Sequence, residues 1–177
     1  MRFFTLAPFA FVAAALVQAQ TVPIGARINI QDYKGNVFDM SGSGAGQNTP
    51  VQTLNHKPGE IAQGWVIEPS SVGQFFTIRN VASGTFLSYS AVNSTGVDPL
   101  NTQAVGNLNQ FPWTITGTGV GFLILGPSGI NGQTALTSWP TLNASNGNIL
   151  PLQTSPLTLQ TRDSTGNAAV QTFTFPP

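Results

Sequence analysis

The sequence contains an internal repeat. Ile28 and Phe76 open two similar apolar segments, and Trp65 and Trp113 open two others; the members of each pair are 48 residues apart. Two landmarks that share one period indicate duplicated structural units, which bury their apolar faces against one another. The sequence therefore predicts a repeat architecture rather than a single irregular domain.

A third and longer copy of the unit opens at Phe122 and closes at Phe173. In all copies the apolar residues alternate or form short runs, and clusters of Gly, Pro, Asn or Ser separate them. This spacing is typical of β-strands, and no helical periodicity follows the first twenty residues. We predict an all-β fold in three pseudo-repeats of four strands each, at about 26–69, 75–117 and 120–176.

The third strand of each copy has the weakest pattern. A turn precedes each second strand, as at Lys34-Gly35 and Ser83-Gly84. We place the third strands at 50–53, near 97–105 and at 149–152.

Residues 1–19 have the pattern of a secretory signal peptide. A basic start is followed by an almost wholly apolar stretch, and small residues precede a cleavage site after Ala19. Pro8 and Gln18 leave fewer than the ~20 uninterrupted apolar residues that a membrane span needs. We expect a secreted protein without membrane insertion, whose single domain covers 20–177.

Two sequons agree with a secretory route. Asn93-Ser94-Thr95 and Asn143-Ala144-Ser145 are acceptor triplets for N-glycosylation. We expect both to lie in exposed loops.

The composition excludes several classes of partner. Only 7% of the residues are charged and the formal net charge is zero, whereas nucleic acids and anionic membranes are bound by clustered Lys and Arg. The chain has no cysteine, so the core must be stabilised without disulfides. We therefore expect no nucleic-acid partner and no thiolate chemistry.

The sequence shows no catalytic or metal-binding pattern. The only histidine, His56, lies in the polar stretch 55–59, which predicts a turn. One His and no Cys cannot form a zinc site. Nothing in the sequence brings two carboxylates together for glycoside cleavage. We predict that the protein is not an enzyme and that it uses no metal and no cofactor.

Each copy ends on a similar short motif: Gln63-Gly64-Trp65, Gln110-Phe111-Pro112-Trp113 and Gln171-Thr172-Phe173. A Gln-x-Trp near the end of three such repeats resembles the ricin-B-type lectins, and the lack of cysteine is similar to the secreted fungal members. The resemblance implies a β-trefoil, in which a six-stranded barrel is capped by three hairpins. One large aromatic per copy can fill the barrel, so we expect Trp65, Trp113 and Phe173 in equivalent buried positions.

The first copy matches part of the sugar-binding pattern that the resemblance implies. Asp39 lies in an apolar-Asp-apolar strand, and Gln52 follows thirteen residues later. A carboxylate can accept short, directional hydrogen bonds from two adjacent sugar hydroxyls. Leu54 stands where the family has a stacking aromatic, and Ala62 stands where it has an Asn. Asp39 is accordingly either a sugar ligand or the cap of a local turn.

The second and third copies offer aromatic side chains instead. Tyr89, Asn109 and Phe111 border the equivalent cleft of the second copy, where two aromatic walls and an amide suit a neutral glycan. Alternatively, Phe111 packs beneath the hairpin. Trp139 follows the second strand of the third copy, in a polar loop where an exposed Trp is a binding anchor.

The sequence thus predicts a secreted β-trefoil lectin that binds neutral glycans or glycoproteins without catalysis, with its better pocket in the second copy. One alternative is a protease inhibitor, because a trefoil also presents loops on a rigid barrel. Another is a degenerate trefoil that is kept as an abundant secreted structural or defence protein. The loops at 41–49 and 139–148 are the candidates for an inhibitory segment.

Overall fold

The computed structural model describes residues 21–71, 73–90, 100–129, 132–139, 154–163 and 168–176. The signal segment 1–19 and both sequons lie outside these residues. The described part of the chain forms eleven strands, all paired in antiparallel fashion. They are β1 (Arg27–Ile28), β2 (Val37–Met40), β3 (Thr49–Leu54), β4 (Trp65–Pro69), β5 (Phe76–Asn80), β6 (Phe86–Tyr89), β7 (Ala104–Asn107), β8 (Thr114–Gly117), β9 (Phe122–Gly129), β10 (Gly132–Ser138) and β11 (Ser155–Thr161).

The first and last strands of the repeats close into a barrel. β4 pairs with β1 and β5, and β8 pairs with β9. Isolated bridges join Phe76 to Trp113, Phe122 to Phe173 and Gln31 to Thr174. The C-terminal segment thereby takes the place of the twelfth strand, and the ring has no open edge, which protects its backbone groups from pairing with other chains.

The second and third strands of each repeat form a hairpin: β2–β3, β6–β7 and β10–β11. The three hairpins also contact one another, because β3 pairs with both β7 and β11, and Gln103 bridges to Thr158. They form a three-sided cap over one end of the barrel. Together with the closed ring, this confirms the predicted β-trefoil with three repeats.

One aromatic from each repeat fills the core. Trp65, Trp113 and Phe173 are fully buried, and they pair with Ile28, Phe76 and Phe122 at corresponding points of the three repeats. The equivalence predicted for these residues is confirmed. Burial of such large apolar surfaces is the main source of stability for a chain without disulfides.

The indole nitrogens of the two tryptophans are satisfied in the same way. Trp65 Nε1 donates to the carbonyl of Phe38 at 3.1 Å, and Trp113 Nε1 donates to that of Leu87 at 2.8 Å. Phe38 and Leu87 are the second residues of β2 and β6. Each hairpin is thus tied to the core aromatic of its own repeat.

The third strand of the third repeat is later in the chain than predicted. The expected segment 149–152 lies outside the described residues, and the strand that pairs with β10 is β11. In β11 the buried Leu157 and Leu159 alternate with more exposed neighbours. This alternation is the signature of a half-buried strand, whereas the continuous apolar run at 149–152 is not.

Within the part of the chain that the structure describes, no helix is both long and apolar enough to cross a membrane.

Candidate functional site

The β2–β3 hairpin places Asp39 directly opposite Gln52. Directly opposed residues of an antiparallel pair project from the same face of the sheet. Asp39 is only 7% exposed, and burial raises the pKa of its carboxyl group. Hydrogen bonds from Gln63 and Gln52 and the charge of Lys57 favour the ionised form, while the charge of Glu60 opposes it.

Gln63 fixes the backbone next to this site. Its side chain is fully buried, its Oε1 accepts from the backbone N–H of Lys57 at 2.8 Å, and its Nε2 donates to the carbonyl of Asn55 at 3.0 Å. These bonds fix the loop that follows β3, and the same amide reaches the Asp39 carboxylate. The first repeat thus brings together one carboxylate and two amide side chains, which match the hydroxyl groups of a sugar.

The third repeat uses a glutamine in the same way. Gln171 Oε1 accepts from the N–H of Asp163 at 2.9 Å, and its Nε2 donates to the carbonyl of Thr161 at 3.0 Å. Gln171 Nε2 also donates to Thr137 Oγ1 at 3.1 Å. Thr137 follows Leu136 in β10 as Asp39 follows Phe38 in β2, so a neutral hydroxyl replaces the carboxylate.

The second repeat has a phenylalanine at this position. Gln63 and Gln171 each precede the core aromatic by two residues, and the residue that does so before Trp113 is Phe111. The shared motif suggests Gln110 as the equivalent glutamine, but Gln110 lies one residue before Phe111 and is exposed. The alignment of Gln110 with Gln63 is therefore wrong by one residue.

Tyr89 and Phe111 pack together in the core, and neither forms the wall of an open pocket. Each is 8% exposed; their rings meet edge to face with centroids 5.1 Å apart, and Phe111 lies 4.8 Å from the Trp113 ring. This corrects the expectation that the second copy holds the better pocket. Tyr89 is two residues after the buried Leu87, so the strand period turns both toward the core.

Phe111 leaves polar groups of its own repeat without a partner. Within the described residues Ser88 Oγ is buried without a hydrogen-bond partner, although Thr137 at the equivalent position bonds with Gln171. Asn107 Nδ2 is likewise buried and unpaired, while Asn107 Oδ1 accepts from the N–H of the exposed Asn109 at 2.9 Å. The apolar ring fills the space in which an amide would reach Ser88.

Trp139 lies on a different repeat and is 40% exposed. Its Nε1 donates to Thr158 Oγ1 at 2.7 Å, and its carbonyl accepts from Lys34 Nζ at 3.1 Å. The ring is thus held on the surface in a fixed orientation. Its backbone N–H donates to the carbonyl of Pro156 at 3.2 Å, and Pro156 lies opposite Gln52, so Trp139 is two strands away from Gln52 across the cap.

Sequence reasoning missed the buried cluster that orients Trp139. Asp32 is buried, and its carboxylate accepts from Ser138 Oγ at 2.7 Å and lies 3.9 Å from Lys34 Nζ. Burial lowers the pKa of Lys34, while the charge of Asp32 raises it. Lys34 also bonds with Ser155. These residues join the first and third repeats, and only the fold brings them together.

The loop at 41–49 is tied back to the cap. Gly44 N–H donates to the carbonyl of Ser41, and Asn48 N–H donates to that of Gly106 at 2.9 Å. Most of the other loop considered for protease inhibition, 139–148, lies outside the described residues. Among the residues that are described, no group of three or more His, Cys, Asp or Glu is arranged to hold a metal ion.

Solved structures share this architecture. The Rhizoctonia solani agglutinin matches with a TM-score of 0.67 and 20% identity, over 89% of this chain and 98% of that one. A Macrolepiota procera ricin B-like lectin, solved with lactose, matches with a TM-score of 0.60 and 23% identity, over 89% and 99%.

A designed threefold-symmetric protein matches with a TM-score of 0.61 and 11% identity, over 85% of this chain and 98% of that one. No protein-family model and no curated protein matches the sequence. At these identities the likeness concerns the backbone alone. The chain has the β-trefoil fold that the ricin B-like lectins share.

Proposed function

We propose that the protein is a lectin that binds a neutral sugar through Asp39, Gln52 and Gln63 of the first repeat. The observation that carries this proposal is the Asp39 carboxylate, which is held on one face of the hairpin between two amide side chains. Two of the structures with this fold are an agglutinin and a lectin in complex with lactose. Their functions support carbohydrate binding over protease inhibition.

The chemistry of the first repeat suits a polyhydroxylated ligand. A carboxylate accepts hydrogen bonds from two adjacent hydroxyls, and an amide offers both a donor and an acceptor. Asp39 lies opposite Gln52, and hydrogen bonding from Gln63 and Gln52 favours its ionised form, which is the form that accepts from sugar hydroxyls. Leu54 offers no aromatic face, so we expect modest affinity, with Kd of about 1 mM to 1 μM.

Trp139 is a second contact point for glycans. Its fixed, partly exposed ring can cover the C–H face of a sugar. It lies on another repeat, two strands away from Gln52, and we propose that it acts as a separate weak site. Two weak sites on one chain increase the avidity for a surface that displays many glycans.

We further propose that the protein binds glycans without cleaving them. A glycosidase needs two carboxyl groups on opposite sides of the scissile bond. Glu60 is the acidic residue whose charge acts on Asp39, but its Oε1 accepts from the N–H of Ala62 at 3.2 Å as the cap of the 3-10 turn Ile61–Gln63. An assay for reducing ends released from the bound oligosaccharide should show no turnover; release that stops in Asp39→Asn would contradict this.

The binding proposal is tested with matched variants on a glycan array and by calorimetry. Asp39→Asn keeps the shape of the side chain but removes the charge, and we expect at least a tenfold loss of affinity for the glycans that the wild type binds. Glu68→Gln removes a carboxylate from a surface ion pair with Arg79 and should bind as the wild type does.

The other repeats supply the remaining controls. Trp139→Ala should weaken binding to a glycan-coated surface but leave single-site affinity at Asp39 intact. If Asp39→Asn binds every glycan as tightly as the wild type, the first repeat is not the site. An array without any bound glycan would reject the lectin function itself.

Secretion is part of the proposal and rests on the sequence pattern of residues 1–19. N-terminal sequencing of the protein recovered from the culture medium of its own host should begin at Gln20. Mass spectrometry of the same material, before and after treatment with an N-glycosidase, tests glycosylation at Asn93 and Asn143.

A further inference from the structure

A second cavity lies beside the proposed sugar site and has a basic lining. Its volume is 330 Å³, and it lies between β1 and the loop that follows β3. The side chains that give it its character are Arg27, His56, Lys57 and Glu60. Neither the sequence pattern nor the resemblance to lectins assigns a role to it.

The cavity holds basic residues, which are scarce in this chain. The whole chain has six Lys and Arg and one His, and three of these seven line this one cavity. Lys34 and Arg79 form ion pairs with carboxylates. Arg27 and Lys57 form no ion pair within the described parts of the chain. Two cations without a carboxylate partner therefore face a concave surface.

Arg27 is held across the cavity by its surroundings. Its stem crosses Gly64 so closely that a Cβ at that position would lie 2.5 Å from Arg27 Nε. Its Nη2 donates to the carbonyl of Glu60 at 2.9 Å. A guanidinium has five N–H donors in a planar fork that matches an oxyanion, and this bond uses one of them.

The loop on the opposite side is equally well fixed. The N–H of Lys57 donates to Gln63, and the N–H of Glu60 donates to the carbonyl of Lys57 at 3.0 Å. The Nε2 atom of His56 lies 3.3 Å from Asn29 Nδ2, within hydrogen-bond distance. These bonds fix the backbone of the loop from which His56 and Lys57 extend.

The carboxylate of Glu60 does not neutralise the cavity. Its Oε1 accepts from the backbone of Ala62, which directs the charge toward the 3-10 turn. It lies beyond ion-pair distance of Arg27 and Lys57 in the described structure. The remaining charge of the cavity is positive, and an anion attached to a bound molecule is the group that would complement it.

We propose that this cavity binds a carboxylate or sulfate group on a glycan whose neutral sugar occupies the Asp39 site. The proposal rests on the function proposed above. The two sites share Gln63, which bonds with the Asp39 carboxylate on one side and with the Lys57 backbone on the other. An acidic substituent next to the bound sugar would meet Arg27 and Lys57, whereas the same charge placed on Asp39 would be repelled.

One oxyanion is the ligand that fits this lining. Nucleic acids bind through long rows of Lys and Arg that contact many phosphates, and this chain has zero net charge. A fork from Arg and a point charge from Lys suit one carboxylate or sulfate. Such a contact is partly screened by solvent, so its effect on affinity is a factor of about five at physiological salt.

The first experiment tests the cavity without any glycan. Sodium sulfate is titrated into ¹⁵N-labelled protein at constant ionic strength, with sodium chloride as the reference. We expect the backbone amide signals of Lys57, Gly59 and Glu60 to shift with sulfate in the wild type. The shifts should be lost in Arg27→Gln and in Lys57→Gln, and they should persist in the control Arg79→Gln.

The second experiment tests the glycan, with lactose, 3′-sulfated lactose and 3′-sialyllactose measured by calorimetry. We expect the two acidic sugars to bind about fivefold more tightly than lactose, and Arg27→Gln to abolish this difference without changing the affinity for lactose. The sulfate and carboxylate forms separate the two possible oxyanions.

The outcomes separate this proposal from the lectin function. If acidic and neutral sugars bind equally, or if the preference persists in Arg27→Gln and Lys57→Gln, the basic cavity is not a glycan subsite and the lectin function stands. If sulfate shifts the three amides but no glycan binds, the lectin function fails and the glycan subsite fails with it. If sulfate shifts none of them, the cavity proposal is wrong.

Discussion

The first and second repeats have the same backbone but fill one position in opposite ways. Two residues before the core tryptophan, the first repeat has Gln63 and the second has Phe111. Gln63 bonds with two backbone groups of the loop after β3 and with the Asp39 carboxylate. Phe111 packs its ring between Tyr89 and Trp113.

The difference shows how one fold gives an ordered polar surface in one repeat and apolar core in another. A buried amide must be bonded on every side, and its bonds orient the groups around it. A buried ring stabilises the fold through its buried area and its contacts. It offers no hydrogen bond to nearby polar groups, such as the Ser88 hydroxyl. Either side chain stabilises its repeat, but only the buried amide also orients the polar groups around it.

The largest effect tests whether the repeats are equivalent at their common core. Trp65→Ala and Trp113→Ala should each lower the free energy of unfolding by about 3–5 kcal/mol, because both rings are fully buried and removal leaves a large cavity. Chemical denaturation of the two variants measures this. A loss below about 1 kcal/mol in either one would show that the repeats do not share a core position.

The next effect tests the glutamine position. Gln63→Ala should lower the free energy of unfolding by about 1–3 kcal/mol, because it removes the bonds to the Asn55 carbonyl and the Lys57 N–H and weakens the support of Asp39. Gln110→Ala is the matched control, since Gln110 is exposed, and it should change stability by less than about 0.5 kcal/mol. Equal losses of stability in the two variants would mean that Gln110, and not Phe111, is the equivalent of Gln63.

A smaller effect should have opposite signs in two repeats. Ser88→Ala should raise the free energy of unfolding by about 1 kcal/mol, because it removes a buried hydroxyl that has no partner. Thr137→Val should lower it by about 1 kcal/mol, because it removes one of the two acceptors of the buried Gln171 amide. Thermal melts of both variants decide the matter; a loss of stability in Ser88→Ala would mean that its hydroxyl is bonded.

The smallest effect concerns the pH dependence of the first repeat. Burial raises the pKa of Asp39 above its ordinary value of 3.8, so the folded state holds the proton more tightly than the unfolded chain does. The stability of the wild type relative to Asp39→Asn should therefore fall as the pH rises through the interval between 3.8 and the raised pKa. Glycan binding, which uses the carboxylate, should be lost as the pH falls through the raised pKa.

Denaturation and glycan binding between pH 3 and pH 7 would test this last expectation. A midpoint for loss of binding at or below the ordinary value of 3.8 would contradict it. The Asp39→Asn variant should show neither transition.

The fold could be predicted from the sequence because the same spacing of apolar residues recurs along the chain. The spacing of Ile28, Phe76, Trp65 and Trp113 reflects a core that is built three times, and each copy confirms the others. The pairing of Asp39 with Gln52 follows from the resemblance to the lectins. A count back from Trp113 and the two-residue period of a strand would also have placed Phe111 and Tyr89 in the core.

The remaining features depend on contacts that no local pattern records. Arg27 and Lys57 meet because β1 pairs with β4 after an intervening hairpin, and Asp32 meets Ser138 across the junction of two repeats. A strand pattern shows which way a side chain points but not which distant strand lies opposite. Charged residues are few here, so their gathering in one cavity becomes visible only in three dimensions.

The closure of the barrel has a consequence for the order of folding. The ring is completed when Thr174 pairs with Gln31, two residues whose side chains also meet across 143 positions of the chain. Contacts between such distant residues carry a large loop-closure entropy and form late in folding. The hairpin that carries Asp39 begins six residues after Gln31, next to this seam. A nascent chain should therefore acquire a complete first repeat only after the end of the third has been synthesised, so the surface around Asp39 is finished only when the ring closes.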